Sequence, residues 1–293
     1  MRKKISAVNI ILVIILFAGL SLLLYPTFSE MWNSTRQSRA IAEYAENVSS
    51  LNREQYEELW RQAEEYNQSL AQQGIFYALN EEQKEEYEKL LNVAGHGIMA
   101  YIEIPKIDCD LPIYHGTEES VLQVAIGHLE WSSLPVGGTG SHCVVSGHRG
   151  LPSARLFTDL DKLEEGDEFY ITVLDRKLAY EVDQILTVLP EEVDELSIEE
   201  GKDYVTLITC TPYGINTHRL LVRGHRVEYV EPEPEKDDEI VVTRNLTKQF
   251  WMTAGLVFGG VAVLVLILKL IFGRKQVNPE NNGDRQNRNG PDI

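Results

Sequence analysis

The sequence predicts a mainly β domain, a closed or nearly closed barrel, with a helical appendage before it and an apolar run towards each end of the chain. Three observations carry this reading. From Met99 to Val227, short β-branched or alternating runs recur at close spacing, with turn signals between them. Between Ser29 and Leu91 the composition changes to Glu, Gln, Ala, Leu and Tyr at helical spacing, with Ile41, Tyr44, Ala45 and Val48 on one face. Finally, Ile5 to Tyr25 and Trp251 to Phe272 are each apolar over roughly the 20 residues needed to cross a bilayer.

Composition bounds the function. At 293 residues, 43% hydrophobic and 25% charged, the chain supplies one ordinary globular core plus extras. A formal net charge of −18 argues against a nucleic-acid partner, which wants a basic patch. Three cysteines with no CxxC argue against a disulfide framework or a zinc ribbon. Cys109 and Cys143 read as small buried strand residues.

The elements follow in chain order. Arg2-Lys3-Lys4 precedes the first apolar run, and Tyr25-Pro26-Thr27-Phe28 follows it where a cleaved signal would carry a small-x-small site. Residues 1–28 therefore read as a retained transmembrane anchor with a cytoplasmic N-terminus. Residues 29–97 are the helical region, with helices expected over 30–49, 52–72 and 80–92. Asn52 with Gln55 and Asn80 with Gln83 have the spacing of N-cap pairs. The region is either an acidic spacer lifting the domain off the membrane or an appendage over the site.

The barrel is expected over 98–230, with strands at 101–104, 107–114, 141–146, 168–174, 177–188, 204–209 and 219–227. Val136-Gly137-Gly138 and Gly166-Asp167 mark turns, and Leu156 to Leu163 reads as a short helix or turn. Residues 231–249 begin Glu-Pro-Glu-Pro-Glu, and proline with like charges keeps such a stalk extended. The second apolar run, within 250–273, is closed by Arg274-Lys275. Basic residues outside both runs predict two spans, both termini cytoplasmic and the barrel outside the cell membrane. Residues 274–293, rich in Asn, Gly and Asp, read as a disordered tail.

The chemistry-bearing stretch is VTLITCTPYGINTHRLLVRGHR, from Val205 to Arg226. Cys210 ends a strand, Pro212 and Gly214 turn the chain, and Arg219 begins the return strand, so the two can converge at one sheet edge. A thiolate is a nucleophile favoured by nearby cations. Arginine cannot act as a base, but it can hold an oxyanion or orient a carbonyl. The acid–base group should be a histidine. The best placed is His148 in VVSGHRGLP, another strand end, marked by Gly147 and Gly150.

Other assignments compete with this one. His218 adjoins Arg219 and faces the opposite side of the strand. His115 and His128 read as structural or groove-lining. His142, Cys143 and His148 do not make a metal set, because 142 and 143 face opposite ways and no carboxylate or second thiol completes it. Eight residues separate Cys210 from Arg219, which rules out the Cys-x5-Arg phosphate loop. No Asn or Asp is identifiable as an orienting partner of His148, so no triad is assigned.

TLITC with Arg219, the SGHRG segment, and the ordered runs IEIPKI, LPIYHGT, GHLE, SLPVGG and LFTDLD together resemble the sortase family. TCTPYGINTHRLLVRG resembles its class C, pilin-polymerising branch in Gram-positive bacteria. The resemblance spans Ala100 to Val230 and implies an eight-stranded β-barrel. It also implies a cysteine transpeptidase that needs no cofactor and acts on pilin subunits carrying a Leu-Pro-x-Thr-Gly-like sorting signal. Cys210 would attack the threonine carbonyl, His148 would serve as acid and base, and Arg219 would hold the carbonyl oxygen. The acceptor would be a lysine of the next pilin, or, in an alternative, a cell-wall peptide amine. The remote alternative is a non-enzymatic, membrane-tethered scaffold with a structural Cys210. One departure stands out: class C sortases typically carry an Asp-Pro-aromatic lid motif in the helical region, and this chain has none. Cys210 is therefore expected to be reachable, or covered only loosely by Gly74 to Ala78.

Overall fold

The computed structural model describes residues 7–73, 79–93 and 95–230, with Gly255, Gly259 and Gly260. The chain divides into Met1–Tyr229 and Val230–Ile293. The stalk, the second apolar run and the tail fall in the second unit, outside the described residues except for those three glycines.

Eight strands close a barrel: β1 (Ile98–Ile104), β2 (Cys109–His115), β3 (Ile126–His128), β4 (Ser141–Ser146), β5 (Glu168–Val173), β6 (Arg176–Val188), β7 (Asp203–Thr211) and β8 (His218–Val227). Their order around the barrel is β1-β2-β3-β4-β7-β8-β6-β5. The β2–β3 and β4–β7 pairs are parallel and the others antiparallel. Strand β3 is too short for a periodic signal.

Alternation sorts the side chains. Cys143 and Val145, Val205 and Leu207, and Leu220 and Val222 belong to the main core with Ile102, Phe157, Phe169 and Tyr180. The intervening residues Val144, Ile208 and Leu221 form a second cluster with Leu196, flanked by Leu129, Trp131, Leu186 and Val193. With a period of two, that cluster lies on the outer face of the β4–β7–β8 sheet.

Among the described residues three helices precede the barrel: α1 (Ala7–Ser49), α2 (Arg53–Gln73) and α3 (Glu81–Tyr87). The anchor expected over 1–28 and the helix expected over 30–49 are continuous, and α1 runs through Pro26 as one helix of 43 residues. A proline removes one backbone hydrogen bond without ending a helix whose other turns are intact. One helix among the described residues, Ile14–Ser49, is long and apolar enough to cross a membrane, and its most apolar stretch is unburied. Both cap pairs form: Asn52 and Gln55 exchange bonds of 3.1 and 2.9 Å, and Asn80 and Gln83 two of 2.9 Å. Helix α3 is shorter than expected, and Leu91 beyond it takes a left-handed φ of 57°.

The spacer reading of this region fails. Tyr44, Val48, Trp60, Ala63 and Tyr87 are buried in the same core as the barrel strands. Three buried polar side chains fix the contact. The Tyr44 hydroxyl donates to Met99 O (2.9 Å) and accepts from Leu174 N–H (2.7 Å). The Asn67 amide donates to Leu134 O (3.0 Å) and accepts from Leu134 N–H (2.7 Å). Tyr87 accepts from Gly116 N–H (3.1 Å) and donates to His128 Nδ1 (2.9 Å). These partners lie where β1 starts and where β2, β3 and β5 finish. That end of the barrel is sealed, and the opposite end, where β4 and β7 finish, is its mouth.

Candidate active site

The mouth is assembled by strand register. Antiparallel pairing of β7 with β8 sets Cys210 directly opposite Arg219. Parallel pairing of β4 with β7 sets Ser146 beside Ile208. The chain leaves β4 through Gly147, whose N–H donates to Ile208 O (3.0 Å) and whose carbonyl accepts from the Thr209 hydroxyl (2.7 Å). Continuing that register brings His148 alongside Cys210. Cys210 and Arg219 share their outward face with Ile208 and Leu221, so the apolar outer cluster leads up to the thiol.

Gly147 has a packing reason. A Cβ there would lie 2.8 Å from both Ile126 Cγ2 and Phe157 Cδ2, closer than carbon atoms approach. Its absence lets Phe157 pack beneath the loop and donate its N–H to His148 O (3.1 Å). His148 is half-buried, and its Nε2 is buried with no hydrogen-bond partner among the described residues. Cys210 is a half-buried free thiol. The Arg219 guanidinium donates from Nη1 to Asn216 O (3.3 Å) and His218 O (3.1 Å), which hold it over the β7–β8 turn. A thiol, an imidazole and a guanidinium thus sit at adjoining strand ends, side-chain types that acyl transfer can use. Gly74 to Ala78, the expected loose cover, lie outside the described residues.

Reading the sequence missed Arg149. Its side chain is only 9% exposed, donates from Nη1 to Thr211 Oγ1 (3.1 Å) and pairs with Asp161. Its guanidinium also lies 5.9 Å from the Tyr213 ring centroid. It therefore ties the residue after His148 to the residue after Cys210. Gly150 completes the contact: its φ of +76° suits glycine, and a Cβ would meet the Tyr213 ring at 2.8 Å. Arg149 stood in plain view in SGHRG, but its partners come from distant segments.

The other histidines hold the scaffold together. His142 donates from Nδ1 to Ser197 O (2.9 Å) and accepts at Nε2 from the Thr206 hydroxyl (2.7 Å). Burial keeps its pKa below the usual value. His115 lies against Gly97 O and Leu90 O, and His128 donates to Ser133 O (2.8 Å) while accepting from Tyr87. Both sit at the sealed end, so of the two readings the structural one holds. Complete burial pushes the His128 pKa down to about 4.

Comparison with known proteins agrees with this geometry. A sortase domain model matches residues 102–227, a span that includes Cys210, His148 and Arg219. Sortase C1 of Streptococcus agalactiae is 50% identical, covers 66% of this chain and all of its own, and superposes with a TM-score of 0.64. Sortase C of Streptococcus pneumoniae is 45% identical over 67% of this chain and all of its own, with a TM-score of 0.58. Among curated relatives, sortase D of Bacillus subtilis (strain 168) is 30% identical over 129 residues, 43% of this chain. The chain spans 62% of that relative's length, short of two thirds. The closed eight-stranded barrel and these likenesses agree: the chain belongs to the sortase family of cysteine transpeptidases, and the two solved structures named above are sortases C.

Proposed function

We propose that this chain is a pilin-polymerising transpeptidase that uses Cys210, His148 and Arg219. The observation that carries the reading is the Cys210–Arg219 register pair, supported by a β4–β7 pairing that ends at Ser146 beside Ile208, two residues before His148 and Cys210. Cys210 Sγ attacks the threonine carbonyl of a Leu-Pro-x-Thr-Gly-like signal, and the tetrahedral oxygen meets Arg219 as charge develops. His148 protonates the leaving glycine amine, leaving a thioacyl enzyme. A lysine amine of the next pilin then attacks, gives its proton to His148 and expels the thiolate. The product is an isopeptide-linked polymer. The apolar face of Ile208, Leu221 and Leu196 suits the Leu-Pro part of such a signal. Pilin as substrate is supported by the sortase C of Streptococcus pneumoniae, whose structure bears on pilin substrate specificity.

The reading includes membrane attachment. In this reading helix α1 is the anchor, the apolar run Trp251 to Phe272, known from sequence alone, is a second span, and the basic residues beyond each run place both termini in the cytoplasm. Protease added to intact protoplasts should then digest the 30–245 region, and its protection would overturn the topology. The chemistry is tested by incubating the 30–245 fragment with candidate pilins. A ladder that depends on Cys210 supports polymerisation. A single adduct with a cell-wall peptide amine would redirect the activity to surface anchoring.

A further inference from the structure

The direction in which the barrel mouth points relative to the membrane follows from α1. This inference rests on α1 being the membrane anchor and goes beyond it. From Glu30 onwards, α1 lies along the barrel through residues spaced by three, four and seven. Glu30 accepts from Arg155 N–H, Asn33 donates to Ser153 O (2.7 Å), Gln37 donates to Val124 O (2.7 Å), and Tyr44 reaches Met99 and Leu174. Ser153 and Arg155 belong to the loop that begins at His148, whereas Met99 and Leu174 are at the sealed end. The helix thus meets the mouth first and the sealed end last. Its apolar stretch lies before the mouth.

The helical rise converts this order into heights. Asn33 is eight residues beyond Tyr25, hence about 12 Å along the axis, and Tyr44 is roughly 16 Å further. On the face turned away from Glu30 and Asn33, the aromatics Tyr25, Phe28 and Trp32 are 56%, 56% and 67% exposed. Exposed aromatics following an apolar stretch have the character of residues seated at a lipid headgroup boundary. Trp32 immediately precedes Asn33, so this belt reaches the level of the mouth loop. The neighbouring β7–β8 loop, joined to the mouth loop through Arg149, Gly150 and Tyr213, presents Tyr213 and Ile215 at 60% and 67% exposure. Charge agrees with the orientation. The acidic helix α2 begins beside the sealed end, where Trp60 stacks on Arg176 at 4.0 Å. Its carboxylates are thereby held away from anionic headgroups.

We infer that the barrel stands mouth-down on the bilayer, with Tyr213, Ile215 and Trp32 at the headgroup level and the sealed end outermost. A peptide presented at the lipid surface then meets Cys210 directly.

The test uses the full chain in phosphatidylcholine–phosphatidylglycerol vesicles, with Cys210→Ser as background and one introduced cysteine carrying a fluorophore. Ile215→Cys reports the mouth, Asp175→Cys the sealed end and Phe17→Cys the anchor. Nitroxide lipids labelled at the headgroup should quench the Ile215 probe several-fold more than the Asp175 probe, and nitroxides deep in the acyl chains should quench the Phe17 probe. A quenched Phe17 probe with equal or reversed quenching at the other two sites would overturn the orientation while leaving the anchor intact. An unquenched Phe17 probe would overturn both, because the orientation has no other footing.

Discussion

The two ends of the barrel solve opposite problems. At the sealed end, Tyr44, Asn67, Tyr87 and His128 are buried and spend their hydrogen-bonding groups on strand termini and helices. At the mouth, His148 keeps a buried Nε2 without a partner among the described residues, and Cys210 and Arg219 are half-buried. Unsatisfied buried polar atoms cost stability, and the sealed end carries some too, at the Tyr56 hydroxyl and Thr172 Oγ1. The comparison teaches that packed helices fix one end, while the groups proposed to react are held by strand register and loop contacts.

The strongest way to break this division is Cys210→Ala. Cleavage and polymerisation should both vanish in a gel assay while the melting temperature stays within a degree or two of the parent. A substantial fall in stability would assign the thiol a structural role. Next, His148→Ala and Arg219→Ala should each lower kcat by about a hundred- to ten-thousandfold, the range expected for losing an acid–base group or an oxyanion donor. Arg219→Lys should recover little, because a lysine lacks the planar fork. Near-normal turnover in either alanine variant would show that another partner serves Cys210.

The sealed end should respond in the opposite sense. Asn67→Ala strands Leu134 N–H and C=O in a buried site, at about 1–3 kcal/mol for each unsatisfied group. Melting should drop by several degrees with kcat unchanged at a permissive temperature. A kcat loss without a melting loss would mean that α2 acts on the mouth directly.

The smallest effect sharpens the comparison through pH. His128 is neutral in the fold, with a pKa near 4, whereas the unfolded chain takes up that proton near the usual 6.5. Its contribution to stability is therefore full above 6.5 and declines as pH falls towards 4, by at most about 3 kcal/mol. Wild type should lose stability over this window more steeply than His128→Gln in denaturant titrations. Parallel curves would remove His128 from the balance.

Much of this was legible in the chain. The close-spaced β-branched runs announced the barrel, and TLITC with Arg219 announced a strand end facing a strand start. Both cap pairs could be read because Asn and Gln three apart act locally. The continuous path of α1 through Pro26 was not legible, since proline's local preference is overridden when the surrounding turns are satisfied. Nor was the outer apolar cluster, because Val144, Leu196, Ile208 and Leu221 come from four separate segments. The same holds for Arg149, whose value lies in Thr211 and Asp161.

The sequence alone determined the residue types at each strand end, the alternation that turns Cys210 and Arg219 to one face, and the apolar length of the first helix. These are local properties, set by backbone sterics and a period of two or 3.6 residues. The tertiary structure decided which strand lies beside which, and so that the ends of β4 and β7, leading to His148 and Cys210, run side by side and that the helices seal one end of the barrel. Those outcomes depend on contacts between residues far apart in the chain. Their energies come from shared burial, which no single segment encodes.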